Sequence, residues 1–416
     1  MDMAASKKGS AKPAVPVESK RAEGARIAHR RLIFETIFHR GPISRVEIGG
    51  IIGLNPQAIS SITRDLLDQG LIIEAGRSTG RRGQPQIYLE PNARAGFSIG
   101  VHLDRNVCLL VISDLKRTIL VRRHIALDTR IPKVTLERVA AELDSALAEA
   151  GAPRERVWGI GLVLPTFGSA VYDFDFSMPY WEAWRDFGFA EELQALSGLP
   201  VLVENDATAA AIGERFHRSD ANTSTFVYFY IGQGTGAGLI IDGAPFKGAF
   251  GNAGEMGLLP IFGLGGAPVW PEQKTIDVLS EGGLARACGS EDAELSHDAV
   301  IRLHELRDQR LMEWLKAASD TLRDTTAVFE VLFDPEFIAV GGAMPRQIIQ
   351  TLVDLAYPLR ATPAARRDRT MARLVTAELI EDAAVTGAAL LPIFVNTSPN
   401  FRHLYKMDQV QRPFDR

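Results

Sequence analysis

The sequence predicts an α/β protein in two parts, a small basic winged helix-turn-helix followed by a larger body in two lobes around a cleft. Three observations carry this. From about Gly96 onward, short apolar runs, Gly-rich turns and Ala-rich segments alternate, the pattern of strands interleaved with helices. Ahead of them, three short helical segments lead into a hairpin with an Arg-rich turn. Charge divides the same way: residues 1–90 hold 14 Lys and Arg against 9 Asp and Glu, and the remainder holds 32 against 42. A basic module on an acidic body fits a nucleic-acid partner, and a solvated basic tail is the plainer alternative.

Length and composition bound the rest. At 416 residues and 46% hydrophobic, the chain has room for two or three domains and is too apolar to be disordered. It holds no run of about 18 apolar residues, so no membrane span is expected. The polar N-terminus lacks a signal-peptide pattern, and a cytoplasmic location is the default expectation. Cys108 and Cys288 stand far apart without a C-x-x-C, which argues against a disulfide framework and a cysteine-built zinc site.

Residues 1–25, rich in Lys, Ala, Ser and Pro, read as a flexible basic tail. Residues 26–90 make the winged unit. Ile27, Leu32, Ile33, Ile37 and Phe38 recur at helical spacing until Gly41-Pro42. Ser44-Arg45-Val46-Glu47 is a capping box that opens a second helix. After a turn at Gly53-Leu54, Asn55-Pro56 starts a third helix that runs to about Gln69 and stops at Gly70. Its apolar face includes Ala58, Ile59, Ile62, Leu66 and Leu67. Gln57, Ser60, Ser61 and Arg64 lie away from that face and are candidate DNA-binding side chains, small or polar enough to meet base edges. Leu71-Ile72-Ile73 and Gln86-Ile87-Tyr88-Leu89 are the hairpin strands. Arg81 and Arg82, between Gly80 and Gly83, complete the candidate DNA-binding set, because glycine lets backbone enter a narrow groove and Arg favours its negative potential. A protein-binding winged helix is the alternative.

The body occupies residues 91–416. Strands are expected over 97–101, 107–113, 157–164, 226–231 and 337–340, and helices over 136–150, about 297–331, and 382–391. Its central stretch, Val201-Leu202-Val203-Glu204-Asn205-Asp206-Ala207, is a β-branched run leading straight into an Ala-rich helix. A strand end that feeds a helix start is where open α/β sheets place ligands. Asn205 and Asp206 are therefore candidate ligand residues, with helix capping as the competing role.

Four pieces occur in order: Glu204-Asn205-Asp206-Ala207, the glycine-rich 232–238, Gly251-Asn252-Ala253-Gly254-Glu255, and Asp334-Pro335-Glu336 leading to Gly341-Gly342. Together they resemble the ROK family of sugar kinases and sugar-responsive repressors, over nearly all of the chain from about Ala25 to Ile393. The resemblance implies an actin-like (ribonuclease H-like), ATPase-type fold with the sugar between two lobes. It implies that Asn205, Asp206 and Glu255 contact sugar hydroxyls, Asp206 standing where family kinases hold the general base. A winged helix ahead of the body marks the repressor branch.

The departures from that family are informative. Its D-x-G-G-T phosphate loop is replaced by His102-Leu103-Asp104-Arg105-Asn106, without the metal-side Asp or the close-approach glycines. Phosphoryl transfer rests on positioning and charge neutralisation, so no enzyme activity and no catalytic residue is expected, and the glycines of 232–238 read as packing glycines. Leu258 stands in place of the family's zinc- and sugar-binding His, and 263–270 holds no Cys, so no metal is expected. Pro165-Thr166 replaces the family's Pro-Gly turn.

The sequence thus points to a DNA-binding transcriptional regulator, a repressor of carbohydrate uptake or catabolism genes controlled by a sugar or sugar derivative. The expected partners are operator DNA, a carbohydrate effector and further copies of the chain, in a homodimer or tetramer, since helix-turn-helix proteins pair two half-sites. No cofactor and no membrane partner is expected. The alternative is a ROK sugar kinase with an accessory N-terminal module.

Overall fold

The computed structural model describes residues 17–77, 85–164, 183–184, 187–218, 224–259, 274–290 and 295–397. The chain opens with α1 (Val17–Arg40), β1 (Ile43–Ser44), α2 (Arg45–Ile52) and α3 (Pro56–Asp68), then β2 (Ile72–Arg77) and β3 (Ile87–Pro91). Its caps are set by the sequence. Ser44 Oγ accepts the Glu47 N–H, and Glu47 in return accepts the Ser44 N–H at 2.8 Å. Asn55 accepts the Ala58 N–H at 2.8 Å, with Pro56 in the first turn of α3. The three strands form an antiparallel sheet in the order β1-β3-β2. Helix α1 begins inside the stretch expected to be a tail. It starts directly after Pro16, and the residues that follow include Glu, Lys, Arg and Ala, all good helix formers.

The body is built on two five-stranded sheets. In the first, β4 (Phe97–Asp104), β5 (Val107–Asp114) and β6 (Ile119–Ala126) form an antiparallel meander, and β7 (Val157–Val163) and β8 (Val201–Glu204) add in parallel, giving the order β6-β5-β4-β7-β8. Ile99, Val101, Leu110 and Leu162 share a core with Leu136 and Val139 of α4 (Pro132–Glu149) and Leu193 of α5 (Phe189–Ser197). In the second, β9 (Phe226–Ile231), β10 (Thr235–Ile241), β11 (Ala244–Pro245), β12 (Ile338–Gly342) and β13 (Leu374–Thr376) run in the order β11-β10-β9-β12-β13. Its helical cover includes α7 (Thr275–Val278), α8 (Glu281–Ala287), α9 (His297–Glu305), α10 (Gln309–Phe333) and α11 (Arg346–Ala356). Phe329 of α10 meets Phe229 of β9 edge-on at 4.9 Å.

Two helices, α6 (Asp206–His217) and α12 (Ala383–Thr397), pack on each other and link the sheets. Small residues let their backbones approach. A Cβ on Gly387 would lie 1.7 Å from the Ala209 carbonyl oxygen, and one on Gly238 of β10 2.3 Å from that of Ala207. On its other side α12 lies on β4 and β7, where a Cβ on Gly100 would lie 2.3 Å from Val385 O and one on Gly161 1.9 Å from Ala388 O. The apolar core does not break at residue 90. Ile33, Phe34, Phe38, Ile59 and Leu66 belong to one cluster with Phe216, Leu391 and Phe394 of the body.

Further elements differ from the sequence expectation. Strand β6 follows β5 after a short turn, and its alternation is blurred by Arg122 and Arg123. The helical stretch near 297–331 is two helices, because Arg307 adopts φ 53° and Asp308 then caps α10. Helix α12 continues past Pro392 to Thr397, and all of its residues but Thr386 are buried.

Candidate functional site

The chain reaches the junction at Asn205 through β8, which pairs in parallel with β7 and ends with Glu204 opposite Val163. Asn205 is extended, with φ −80° and ψ 163°, and its Oδ1 accepts the Thr208 N–H at 2.7 Å. Capping, one of the two roles expected for this residue, is therefore present. Asp206 opens α6 and accepts the Ala207 N–H at 2.7 Å. Glu204, buried one residue earlier, accepts the Asn205 N–H at 3.0 Å and pairs with Lys247 Nζ at 2.7 Å.

That ion pair ties the end of β8, just ahead of α6, to the segment carrying Glu255. The segment leaves β11, passes Lys247 and closes on itself where the Ala253 N–H donates to Lys247 O at 3.1 Å. It then meets β10, the Ala237 N–H donating to Gly254 O at 2.7 Å. Gly254 has φ 96°, and a Cβ there would lie 1.9 Å from Ala237 O, so the close approach requires glycine. Glu255 follows directly. Asn252 in the same segment keeps a buried amide oxygen without a hydrogen-bond partner among the described residues.

Electrostatics places three carboxyls in one region. Burial pushes Asp206 up to about 7, the Ala207 N–H opposes this, and the charges of Asp104 and Glu255 add to it. Burial pushes Glu255 up to about 7 as well. At neutral pH each is partly protonated, so the pair can donate as well as accept hydrogen bonds, which suits ligand hydroxyls. Tyr230 is also within reach: burial first, then Asp206, Asp104 and Glu281, hold its phenol well above the usual range. Asp104 ends β4 and accepts the Arg105 N–H at 2.7 Å, and Asn106 completes a tight turn at φ 56°. His102, buried in β4, is lowered by burial against the opposing pull of Asp104 and Asp382. Among the described residues, no group of three or more His, Cys, Asp or Glu side chains is arranged to hold a metal ion.

The structure thus brings Asp206 and Glu255 together, with Asn205 fixed beside them as a cap. Residue spacing did not reveal Lys247, Tyr230 or the closeness of Asp104. The acidic run Glu204-Asn205-Asp206 marked the place, and Lys247 carried no pattern of its own.

The other predicted residues lie on α3. Ile59, Ile62, Thr63 and Leu66 are buried, Gln57, Ser61 and Arg64 are exposed, and Ser60 is half-buried. Arg45 Nε donates to Thr63 Oγ1 at 2.8 Å, joining α2 to the inner face of α3. Arg26 pairs with Asp65 at 2.6 Å, while Arg64 has no ion pair or hydrogen bond among the described residues. Arg81 and Arg82 lie outside the described residues, as do Pro165 and residues 263–270.

A model of the ROK family matches residues 98–393. The chain belongs to the ROK family. It is 25% identical over 288 residues to the xylose repressor of Bacillus subtilis, covering 67% of this chain and 73% of that protein. It is 25% identical over 379 residues to the DNA-binding transcriptional dual regulator NagC of Escherichia coli, covering 86% and 91%. A solved ROK family transcriptional regulator, described as a homolog of the E. coli Mlc protein, superposes with a TM-score of 0.67 at 24% identity, covering 89% of this chain and 96% of that one. That likeness places the mixed α/β architecture of this ROK protein with the regulator's fold.

Proposed function

We propose that this ROK protein is a DNA-binding transcriptional regulator, a repressor of carbohydrate uptake or catabolism genes whose affinity for its operator is set by a sugar or sugar derivative. One observation carries the reading. A unit of three helices and a three-stranded sheet, with polar Gln57, Ser61 and Arg64 exposed on its third helix, shares its core with the ROK body. This arrangement supports a winged helix-turn-helix, a motif in which the recognition helix enters the major groove. In this reading residues 26–90 are the DNA-binding domain, 91–416 an actin-like, two-lobed sensor, and 1–25 a basic extension that includes the start of α1. Gln57, Ser60, Ser61 and Arg64 meet base edges, and Arg81 and Arg82 follow the phosphates or the minor groove. The relatives support it, since those named above are a xylose repressor and a DNA-binding regulator.

The effector would sit at Asn205, Asp206 and Glu255. Asn205 can cap α6 with Oδ1 and still offer its Nδ2 hydrogens to a hydroxyl. Asp206 and Glu255 can exchange donor and acceptor roles as the ligand requires. Catalysis is not part of this reading. The Asp104 carboxylate takes the Arg105 N–H, the kind of backbone donor that a phosphate needs, and puts a negative charge at that turn. The protein then acts as a homodimer or tetramer, matching paired half-sites. The test is selection of binding sites from random duplex DNA, followed by titration with monosaccharides, amino sugars and sugar phosphates. Enrichment of a two-half-site sequence, released or tightened by one sugar, supports the reading. A protein that enriches no sequence is not this regulator.

A further inference from the structure

Helix α6 has one end in the proposed effector cleft and the other against the N-terminal unit. Its twelve residues span about 18 Å. Asp206 opens it, and Arg215 and Phe216 lie in its last turn. Phe216 is sandwiched there. The His39 ring stacks on it at 4.5 Å with an interplanar angle of 8°, Phe38 meets it edge-on at 5.7 Å, and Phe394 of α12 meets it edge-on at 5.1 Å. Arg215 lies 5.4 Å from the ring centres of both Phe216 and Phe394, and its Nη2 is 3.5 Å from Glu35 of α1. Arg117, in the turn between β5 and β6, donates to the Phe216 carbonyl at 2.7 Å and covers Phe38 at 5.4 Å.

The groups that meet here come from both lobes. Helix α6 is fixed to the second sheet: Glu214 accepts the Glu378 and Leu379 N–H groups just beyond β13 at 3.0 and 2.8 Å, and Gly238 of β10 abuts Ala207. Helix α12 lies on the first sheet at Gly100 and Gly161, and Arg117 is part of that sheet's connections. Along most of their length α6 and α12 meet through alanine and glycine, and the large side chains Phe216 and Phe394 meet at the end of the pair, so a small shear of one helix on the other is felt at that aromatic contact. Helix α1 is seated across the end of that sliding pair.

From this placement we infer that α1 senses the relative position of the two lobes through Phe38 and His39 on Phe216, so that ligand closing the cleft at Asp206 moves α1 and, with it, α3. Phe216 is then a coupling residue: it touches neither the effector nor DNA, and it sets how strongly one changes the affinity for the other. The inference rests on the function proposed above.

The test measures reciprocal coupling. Wild type, Phe216→Leu, Phe216→Ala and Arg215→Met are titrated with DNA selected by the wild type and with D-xylose and a panel of monosaccharides, amino sugars and sugar phosphates, each ligand alone and then together. In wild type the sugar should change DNA affinity about 5- to 150-fold, the range of ordinary allosteric coupling. In Phe216→Ala each ligand alone should bind within about threefold of wild type, while the mutual effect drops below about twofold. Phe216→Leu, which keeps most of the apolar bulk, and Arg215→Met should fall between. Full coupling in folded Phe216→Ala, or in both milder variants if that one does not fold, overturns the inference and leaves the regulator reading intact. If no sugar binds wild type, the sugar reading fails and amide hydrogen exchange decides: DNA should change exchange over residues 206–217 in wild type and not in Phe216→Ala, and the same response in both overturns the inference. If no DNA binds, the regulator reading and this inference fall together.

Discussion

Replacing Asp206 with Asn should stabilise the protein at high pH and leave it unchanged at low pH. The wild-type carboxyl is held at about 7 by burial, reinforced by Asp104 and Glu255, against about 3.9 in an unfolded chain. Its folded value is raised, so the proton is bound more tightly in the native state. The stability this gives is fully present below about pH 4 and is lost as pH rises through about 7. Each unit of difference corresponds to about 1.4 kcal/mol, which sets an upper bound of about 4 kcal/mol. Asp206 keeps some solvent contact, so an observable effect of about 2 kcal/mol is expected. Asn has nearly the same shape, can still accept the Ala207 N–H, and never ionises.

The assay is urea unfolding of wild type and Asp206→Asn at pH 4, 6 and 8, with ΔG compared at matched slopes. The two should agree at pH 4 within about 0.5 kcal/mol, and the variant should be about 2 kcal/mol more stable at pH 8. Glu255→Gln should behave in the same direction. The double variant should gain less than the sum, because removing one charge already relieves the other. A difference that does not change with pH would refute the account of a crowded anionic cleft. A variant less stable at pH 8 would mean that Asp206 has a cationic partner.

Three further outcomes are expected. Arg64→Ala should lose about 1–3 kcal/mol of operator binding at one base position, with relaxed discrimination there, read by binding to single-base operator variants. Arg81→Ala combined with Arg82→Ala should instead weaken binding across sequences and lower the salt slope by about one unit per lost phosphate contact. An unchanged slope means that the wing does not touch phosphates. A coupled assay with ATP over a sugar panel should show no turnover approaching the ordinary range of about 1–1,000 per second, if the proposed loss of phosphate binding at the Asp104 turn holds.

The parts of the fold that were legible are those decided by neighbours in sequence. Ser44 with Glu47, Asn55 with Pro56, and the run Val201-Leu202-Val203 each contain both partners of the interaction that fixes them. The alternating elements from Gly96 onward gave the α/β class for the same reason. The start of α1 was misjudged because polar helix formers look like a tail when no apolar period accompanies them. The two sheets and the seam between α6 and α12 were not legible, since Gly387 against Ala209 and Gly161 against Ala388 are pairings over long separations between residues with no distinctive chemistry. Glu255 was found from its motif, whereas Lys247, which pairs with Glu204 across more than forty positions, had no local sign. The glycines of 232–238 do have the packing role expected of them at Gly238, but more than half of that stretch is the strand β10 rather than a turn.

The junction at Asn205 shows why capping and ligand binding are not competing explanations. A residue that caps a helix has its χ angles fixed by the bond it makes, here Oδ1 to the Thr208 N–H at 2.7 Å. Its amide nitrogen is then oriented without any ligand present, so little side-chain entropy is lost when a hydroxyl arrives. The same holds one residue on, where the Ala207 N–H fixes one oxygen of Asp206 and leaves the other for the ligand proposed above. Glu204 completes the arrangement from behind, holding the Asn205 N–H and Lys247 while itself buried. The helix start is therefore a preorganised set of side chains, and the bonds that make α6 begin at Asp206 are those that aim Asn205 and Asp206 at the proposed cleft. A substitution at Asn205 must then act twice. Asn205→Ala should cost about 1 kcal/mol of stability through the lost cap, and it should also weaken effector binding. Asn205→Asp keeps an acceptor for Thr208 but removes the amide donors and adds a carboxyl beside Asp206, so it should keep the cap, lose the effector, and be less stable at about pH 8 than at about pH 4. Equal effector affinity in Asn205→Asp and wild type would leave capping as the whole role of this residue.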